Sequence, residues 1–239
     1  EDVILEGSGI AALTTIDARS ASAVTAIANE LSGIADYKGS SGVDNIDIDG
    51  VAANATIRTY NGEDNVTFTS SATDAKTTTV ELGAGDDTVT LPDEMDSGSI
   101  TLDGGEGKDT FALGTGAVAV TIEINAGDHS VSEADVTDGT INPEDAEAIT
   151  GFETAKDVID LTSLGLSGPI VTINASGGAA AAYNNAYDDI IDDDDDIVFI
   201  GDGSGAVSYI FYDNGSGGVG ILDTGDVVLS TTDGTDVDY

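Results

Sequence analysis

The chain has 239 residues, with 46 acidic against 6 basic side chains, a formal charge of −40 at pH 7, no cysteine and a single histidine, His129. Such a field repels nucleic acid and anionic membranes, and the composition argues against disulfides, structural zinc and iron–sulfur clusters. No apolar run reaches membrane-spanning length, yet 40% apolar residues are enough for a core, so the self-repulsion calls for cations, and carboxylate and carbonyl oxygens suit calcium.

Taken in chain order, residues 1–35 read as an N-terminal cap or a junction with something upstream. The opening EDVILEGSGI has neither a basic region nor an initiator Met, which suggests a processing site or a fragment. Residues 3–17 fit an early coil. The stretch ARSASAVTAIANELSG (18–33) spaces Val24, Ile27 and Leu31 like a helix and ends on Gly33, a suitable C-cap. A short helix is therefore expected there, covering the open end of a stacked β region.

Residues 36–131 repeat. Four copies align as GSSGVDNID (39–47), TYNGEDNVT (59–67), LGAGDDTVT (82–90) and GGEGKDTFA (104–112). Their aspartates, Asp44, Asp64, Asp87 and Asp109, are 20, 23 and 22 residues apart. A degraded fifth copy, NAGDHSV (125–131), places His129 where the aspartate would fall. Short alternating segments flank each copy: ATIRTY, TTTVEL, SITLDG and VTIEIN before, DNIDID, DNVTFT, DTVTLP and DTFALG after. A period near twenty with one turn and two strands per repeat predicts stacked coils, an all-β parallel solenoid. Ile57, Val80, Ile100 and Ile122 are expected inward on one sheet, and Val66, Val89 and Phe111 on the other.

Glycines let the turn adopt positive φ and aim its carbonyls at one point, while the aspartate adds a charged oxygen. Stacking repeats that arrangement, so a cation between successive turns would meet six or more oxygens, which suits calcium. The candidate ligating turns are Gly39, Gly42 and Asp44; Gly62 and Asp64; Gly83, Gly85 and Asp87; and Gly104, Gly105, Gly107 and Asp109. A metal-free solenoid, in which these are simply good turns, stays open on the same residues.

GGEGKDTFA is a complete match to Gly-Gly-x-Gly-x-Asp-x-apolar-x, so residues 36–131 resemble the calcium-binding nonapeptides of the RTX (repeats-in-toxin) β-roll family. LGAGDDTVT lacks one glycine and the other copies lack more. RTX rolls usually run nonapeptides in tandem; here each alternates with a longer connection without the motif. The resemblance therefore implies one column of calcium sites on one side, weak at the copies beginning at 39 and 59. It extends to TGFETAKDVIDLTSLG (150–165), similar to a segment that often comes after the roll. There it implies Asp157 and Asp160 as calcium ligands and Phe152, Ile159, Leu161 and Leu164 as a core cap.

The β-rich C-terminal region (132–239) contains AAAAYNNAY, which suits a short helix, and DDIIDDDDDI (188–197) with its seven aspartates, best read as a solvated loop. The strands IVFI, VSYIFYD and DVVLS resemble the closing hairpins of RTX proteins exported by type I secretion. No HExxH, Gly-x-Ser-x-Gly elbow or complete phosphate loop occurs. NIDIDG opens like an EF-hand, but its twelfth position is Thr56. With no Trp and few other aromatics, a sugar-cleaving cleft is not expected, and no enzyme activity is assigned. The resemblance implies a secreted, calcium-folded structural protein: a self-assembling homo-oligomer of a bacterial surface layer or extracellular filament, with cell-surface polysaccharide a further candidate partner. The alternative is the C-terminal secretion and folding module of a larger RTX enzyme or adhesin.

Overall fold

The structure is a computed structural model. It describes residues 1–5, 13–26, 33–48, 51–69, 77–95, 98–125, 147–152, 156–160, 163, 170–174, 197–201, 208–212 and 227–231. The chain divides into two compact units, Glu1–Glu123 with Ala155–Asp160, and Ile124–Thr154 with Leu161–Tyr239.

The first unit is a parallel β-solenoid. Its strands in chain order are β1 (Val3–Leu5), β2 (Thr15–Asp17), β3 (Val24–Ala26), β4 (Ile34–Lys38), β5 (Asp44–Ile48), β6 (Val51–Asn61), β7 (Asn65–Phe68), β8 (Thr77–Ala84), β9 (Thr88–Thr90), β10 (Ser99–Glu106), β11 (Thr110–Ala112), β12 (Ala119–Glu123) and, after β13 (Glu147–Thr150) of the second unit, β14 (Val158–Asp160). Odd-numbered strands β1 to β11 line up in one sheet, even-numbered strands β2 to β14 in the other. Every pairing is parallel, between strands one coil apart.

The alternation of each segment puts its apolar residues on the face between the sheets. Across the even sheet, Tyr37, Ile57, Val80, Leu102 and Ile122 stand in one column, all buried. Across the odd sheet, Ile46, Val66, Val89 and Phe111 form the matching column. Ile57, Val80, Ile100, Ile122, Val66, Val89 and Phe111 thus take the inward places expected of them, Ile100 in the neighbouring column with Ala55, Thr78 and Val120. SITLDG offers two inward residues, and Leu102 is the one in register with Val80. A column is completed only by its neighbours: a fully buried aliphatic side chain contributes about 1.5–3 kcal/mol, and in an isolated coil it would face water above and below.

The helix expected over 18–33 is not what the described part of that stretch forms. Val24–Ala26 is strand β3, hydrogen-bonded in parallel to β1 and β5. Val24 is completely buried. Helical spacing is a local preference, and stacking against two neighbouring coils supplies a full set of backbone partners that outweighs it. Ile27 and Leu31 lie outside the described residues, as does His129.

In the second unit, β13 pairs in parallel with β18 (Val227–Thr231). β18 pairs antiparallel with β17 (Ser208–Tyr212), β17 antiparallel with β16 (Ile197–Gly201), and β16 in parallel with β15 (Ile170–Asn174). IVFI, VSYIFYD and DVVLS therefore supply the strands β16, β17 and β18. Ile149 and Phe152 are buried. Leu161, Leu164, the expected helix of AAAAYNNAY and residues 188–196 lie outside the described residues.

Candidate functional site: a buried aspartate ladder

Each coil of the repeat crosses from the even sheet to the odd sheet through its Gly-x-Asp turn. The aspartate stands at or immediately before the odd-sheet strand, two residues before an inward apolar side chain: Asp44 before Ile46, Asp64 before Val66, Asp87 before Val89 and Asp109 before Phe111. A period of two then places the carboxylate on the same inward face. All four aspartates are at most 2% exposed.

These carboxylates stitch one coil to the next. Val24 N–H donates to Asp44 Oδ1 (2.9 Å), Asp44 N–H to Asp64 Oδ1 (2.7 Å), Asp64 N–H to Asp87 Oδ1 (2.6 Å) and Asp87 N–H to Asp109 Oδ1 (2.9 Å). The backbone bonds the next coil as well, with Thr88 N–H donating to the Asp64 carbonyl and Thr110 N–H to that of Asp87. Hydrogen bonds to a charged acceptor are the strong ones, so one oxygen of each aspartate has a structural task.

The second oxygens differ. Asp64 Oδ2 and Asp87 Oδ2 are buried with no hydrogen-bond partner among the described residues. Burial pushes the Asp64 carboxyl up to about 6, with the Asp44 backbone hydrogen bond and the nearby Thr59 hydroxyl opposing and the Asp44 charge adding to it. Burial pushes Asp87 up to about 7, and the nearby Asp64, Asp86 and Glu63 carboxylates add to it. At Asp44 every oxygen is served: Oδ1 also accepts from the Ser40 hydroxyl (2.6 Å), Oδ2 accepts from Ser40 N–H (2.8 Å), and the Tyr37 hydroxyl lies 3.5 Å from Oδ2. Burial, then Asp44 and Asp64, push the Tyr37 phenol well above its ordinary range.

The glycines of the turns form two stacked columns of backbone oxygens. Tyr60, Gly83 and Gly105 are in register and all have positive φ. Gly62, Gly85 and Gly107 repeat nearly one conformation, with φ of 137°, 139° and 133°. A Cβ at Gly83 would collide with the Tyr60 carbonyl oxygen, and one at Gly85 with that of Gly62. The turns therefore need glycine for close approach as well as for φ. Gly39 and Gly104 serve a third purpose, since a Cβ at either would overlap the Oδ2 of its own Asp44 or Asp109. Gly42 packs likewise under the Ser22 carbonyl.

Each level of the ladder combines an aspartate with nearby backbone carbonyls, a set of hard oxygen donors, and two levels hold a buried carboxylate oxygen that no group among the described residues hydrogen-bonds. That donor chemistry fits a hard divalent cation such as calcium. No group of three or more His, Asp or Glu side chains able to hold a metal occurs among the described residues, so backbone carbonyls would have to complete any coordination shell.

Asp157 repeats the ladder's device on the even sheet, with Val120 N–H donating to its Oδ1 (3.0 Å). It is 5% exposed. Asp160 lies three residues further on in β14, in register with Glu123. Asp160 is half-buried where Asp157 is buried. On the outer face of the even sheet, Arg58 bridges to Glu81 at 2.7 Å and Lys38 pairs with Asp36. These are partly exposed pairs of small energetic weight.

Ser40 and Tyr37 were not legible as site residues. The available signal was a departure from the repeat: Ser40 occupies the place held by Gly83 and Gly105 in later copies. No protein-family model matches the chain, and no curated protein matches it.

Proposed function

We propose that the chain is a secreted calcium-binding structural protein of the RTX β-roll type, folded by calcium outside the cell and assembling with copies of itself into a surface layer or filament. The observation that carries the reading is the pair of buried, unsatisfied carboxylate oxygens of Asp64 and Asp87 in a stack of repeated Gly-x-Asp turns. Uncompensated buried charge is expensive, and a bound cation removes the cost.

Calcium would supply the positive charge that these oxygen-rich turns lack. The groups that would hold it are the carboxylates of Asp64, Asp87 and Asp109, with the carbonyls of Gly62 and Gly85. The remaining work belongs to the chain. Glycine columns bring successive turns into close approach, the carboxylate Oδ1 atoms lock neighbouring coils, and the apolar columns exclude water. Without the ion, 46 acidic side chains repel one another and the coils stack poorly; with it, binding energy becomes folding energy. The assembly role rests on composition: an acidic, Lys-poor, Cys-free chain with no catalytic motif. Self-association and cell-surface polysaccharide are the partners it implies.

The test is a calcium titration of chelator-treated protein, followed by circular dichroism and light scattering together. A cooperative gain of β signal with calcium but not magnesium is expected, with scattering rising alongside. A chain fully folded in chelator that ignores calcium would remove the metal from the account. Folding to a stable monomer would remove self-assembly and favour an export module instead.

A further inference from the structure

We infer that the first rung of the ladder, at Asp44, is closed by protein groups rather than by a cation: Val24 N–H and Ser40, with the Tyr37 hydroxyl beside them, satisfy Asp44, so cations load only the rungs of Asp64 and beyond, and the Asp44 coil is a metal-independent coil on which the later ones stack. The inference rests on the calcium reading for the later rungs, while the closure of Asp44 stands on its own geometry.

The difference begins in strand length. β6, β8 and β10 run on through the second and third positions of the repeat, to Asn61, Ala84 and Glu106. Their backbone groups there belong to the sheet: Tyr60 pairs with Gly83 and Gly83 with Gly105. β4 stops at Lys38, before the repeat begins at Gly39. Ser40 N–H is thereby released from the ladder and turns to Asp44 Oδ2 at 2.8 Å, while its hydroxyl lies 2.6 Å from Asp44 Oδ1, the nearer of its two acceptors, the other being the Gly42 carbonyl at 2.9 Å. Gly42 N–H holds that same Ser40 oxygen at 3.2 Å, fixing the side chain in place.

Asp44 thus has donors on both oxygens: Val24 N–H and Ser40 Oγ on Oδ1, Ser40 N–H on Oδ2, with Tyr37 Oη beside it. Ser40 is 2% exposed and Tyr37 1%. A cation entering this rung would have to displace satisfied buried donors. At Asp64 and Asp87 the same place in the turn is held by Tyr60 and Gly83 rather than by a serine, and although the Thr59 hydroxyl lies near Asp64, Oδ2 of each is left without a hydrogen bond among the described residues. One repeat therefore contains two solutions to one problem, the buried carboxylate: a hydroxyl clamp in the first copy and an oxygen kept for positive charge in the later ones.

The two solutions predict opposite responses to the same substitution. Asn at position 87 keeps an oxygen for Asp64 N–H and replaces the unsatisfied oxygen with an uncharged amide. Asn at position 44 turns an amide donor toward groups that already donate. The experiment measures, on the full-length chain, the number of calcium ions bound by equilibrium dialysis and the thermal midpoint in chelator. Asp87→Asn is expected to lose at least one ion and not to lower the chelator midpoint. Asp44→Asn is expected to keep the wild-type ion count and to lower the chelator midpoint by about 2–4 °C or more. Ser40→Ala should keep the count and lower the midpoint in the same direction, and it decides the matter should Asp44→Asn not fold. The inference is overturned if Asp44→Asn loses an ion as Asp87→Asn does, or if Asp44→Asn and Ser40→Ala leave the chelator midpoint unmoved. Wild-type protein that takes up no calcium would end the calcium reading alone, and the closure of Asp44 would still be decided by the chelator midpoints.

Discussion

At the scale of the residue, the aspartates of this repeat are core residues. Period-two geometry turns each one inward with the apolar residue two places on, and its Oδ1 becomes an acceptor for the preceding coil. This has a consequence for pH. Asp64 and Asp87 titrate near 6 and 7 when folded, against 3.8 for an ordinary carboxyl. Between about pH 4 and 7 the folded chain therefore holds protons that the unfolded chain has released, and stability falls as pH rises through that window. Self-repulsion of the acidic surface acts in the same direction. Thermal melts in chelator are expected to give a higher midpoint near pH 5 than near pH 7.5, and the double change Asp64→Asn with Asp87→Asn should flatten that slope. A midpoint that climbs with pH over this range would contradict the burial assigned to these two groups.

At the scale of the element, one coil is a weak object and its neighbours complete it. β9 and β11 have three residues each, too short to persist alone, yet Val89 and Phe111 sit in register across them, buried on the inner face. Phe111→Ala is expected to cost the solenoid about 3–5 kcal/mol in urea unfolding, because it opens a void in the inner column beside Val89. Thr110→Ala, one residue away on the outer face, should stay within about 0.5 kcal/mol. Comparable losses at both positions would mean that the inner column is not the core. The same dependence on neighbours explains β3. Val24–Ala26 has helical spacing in its surroundings, but Val24 N–H finds Asp44 and its side chain finds the core.

At the scale of the whole molecule, the charge of −40 acts on every coil at once. Monovalent salt screens exposed charges beyond about 10 Å at 0.1 M but does not satisfy an oxygen buried in a turn. Sodium chloride is therefore expected to raise the thermal midpoint gradually, and millimolar calcium to raise it further and cooperatively at matched ionic strength. Equal shifts at matched ionic strength would reduce calcium to a screening ion. The two compact units provide an internal comparison, because the aspartate ladder belongs wholly to the first. Calcium should act chiefly on its transition.

The sequence alone determined the architecture of residues 36–123. A repeated turn at a period near twenty, with alternating flanks, admits few structures other than stacked coils, and it identified most of the inward columns down to single residues. It also aligned Asp44, Asp64, Asp87 and Asp109 in one series, with weak sites expected at the copies beginning at 39 and 59. Tertiary structure decided which of their carboxylate oxygens find donors. Where β4 ends, which backbone N–H is thereby released, and whether a second carboxylate oxygen finds a donor are properties of register between coils, and no single copy of the repeat carries them. The same reason covers which of the two inward residues of SITLDG, Ile100 and Leu102, comes into register with Val80, and the strand at Val24–Ala26 in place of a helix. Periodicity specifies which face a residue takes, while the neighbouring coil specifies what it meets there.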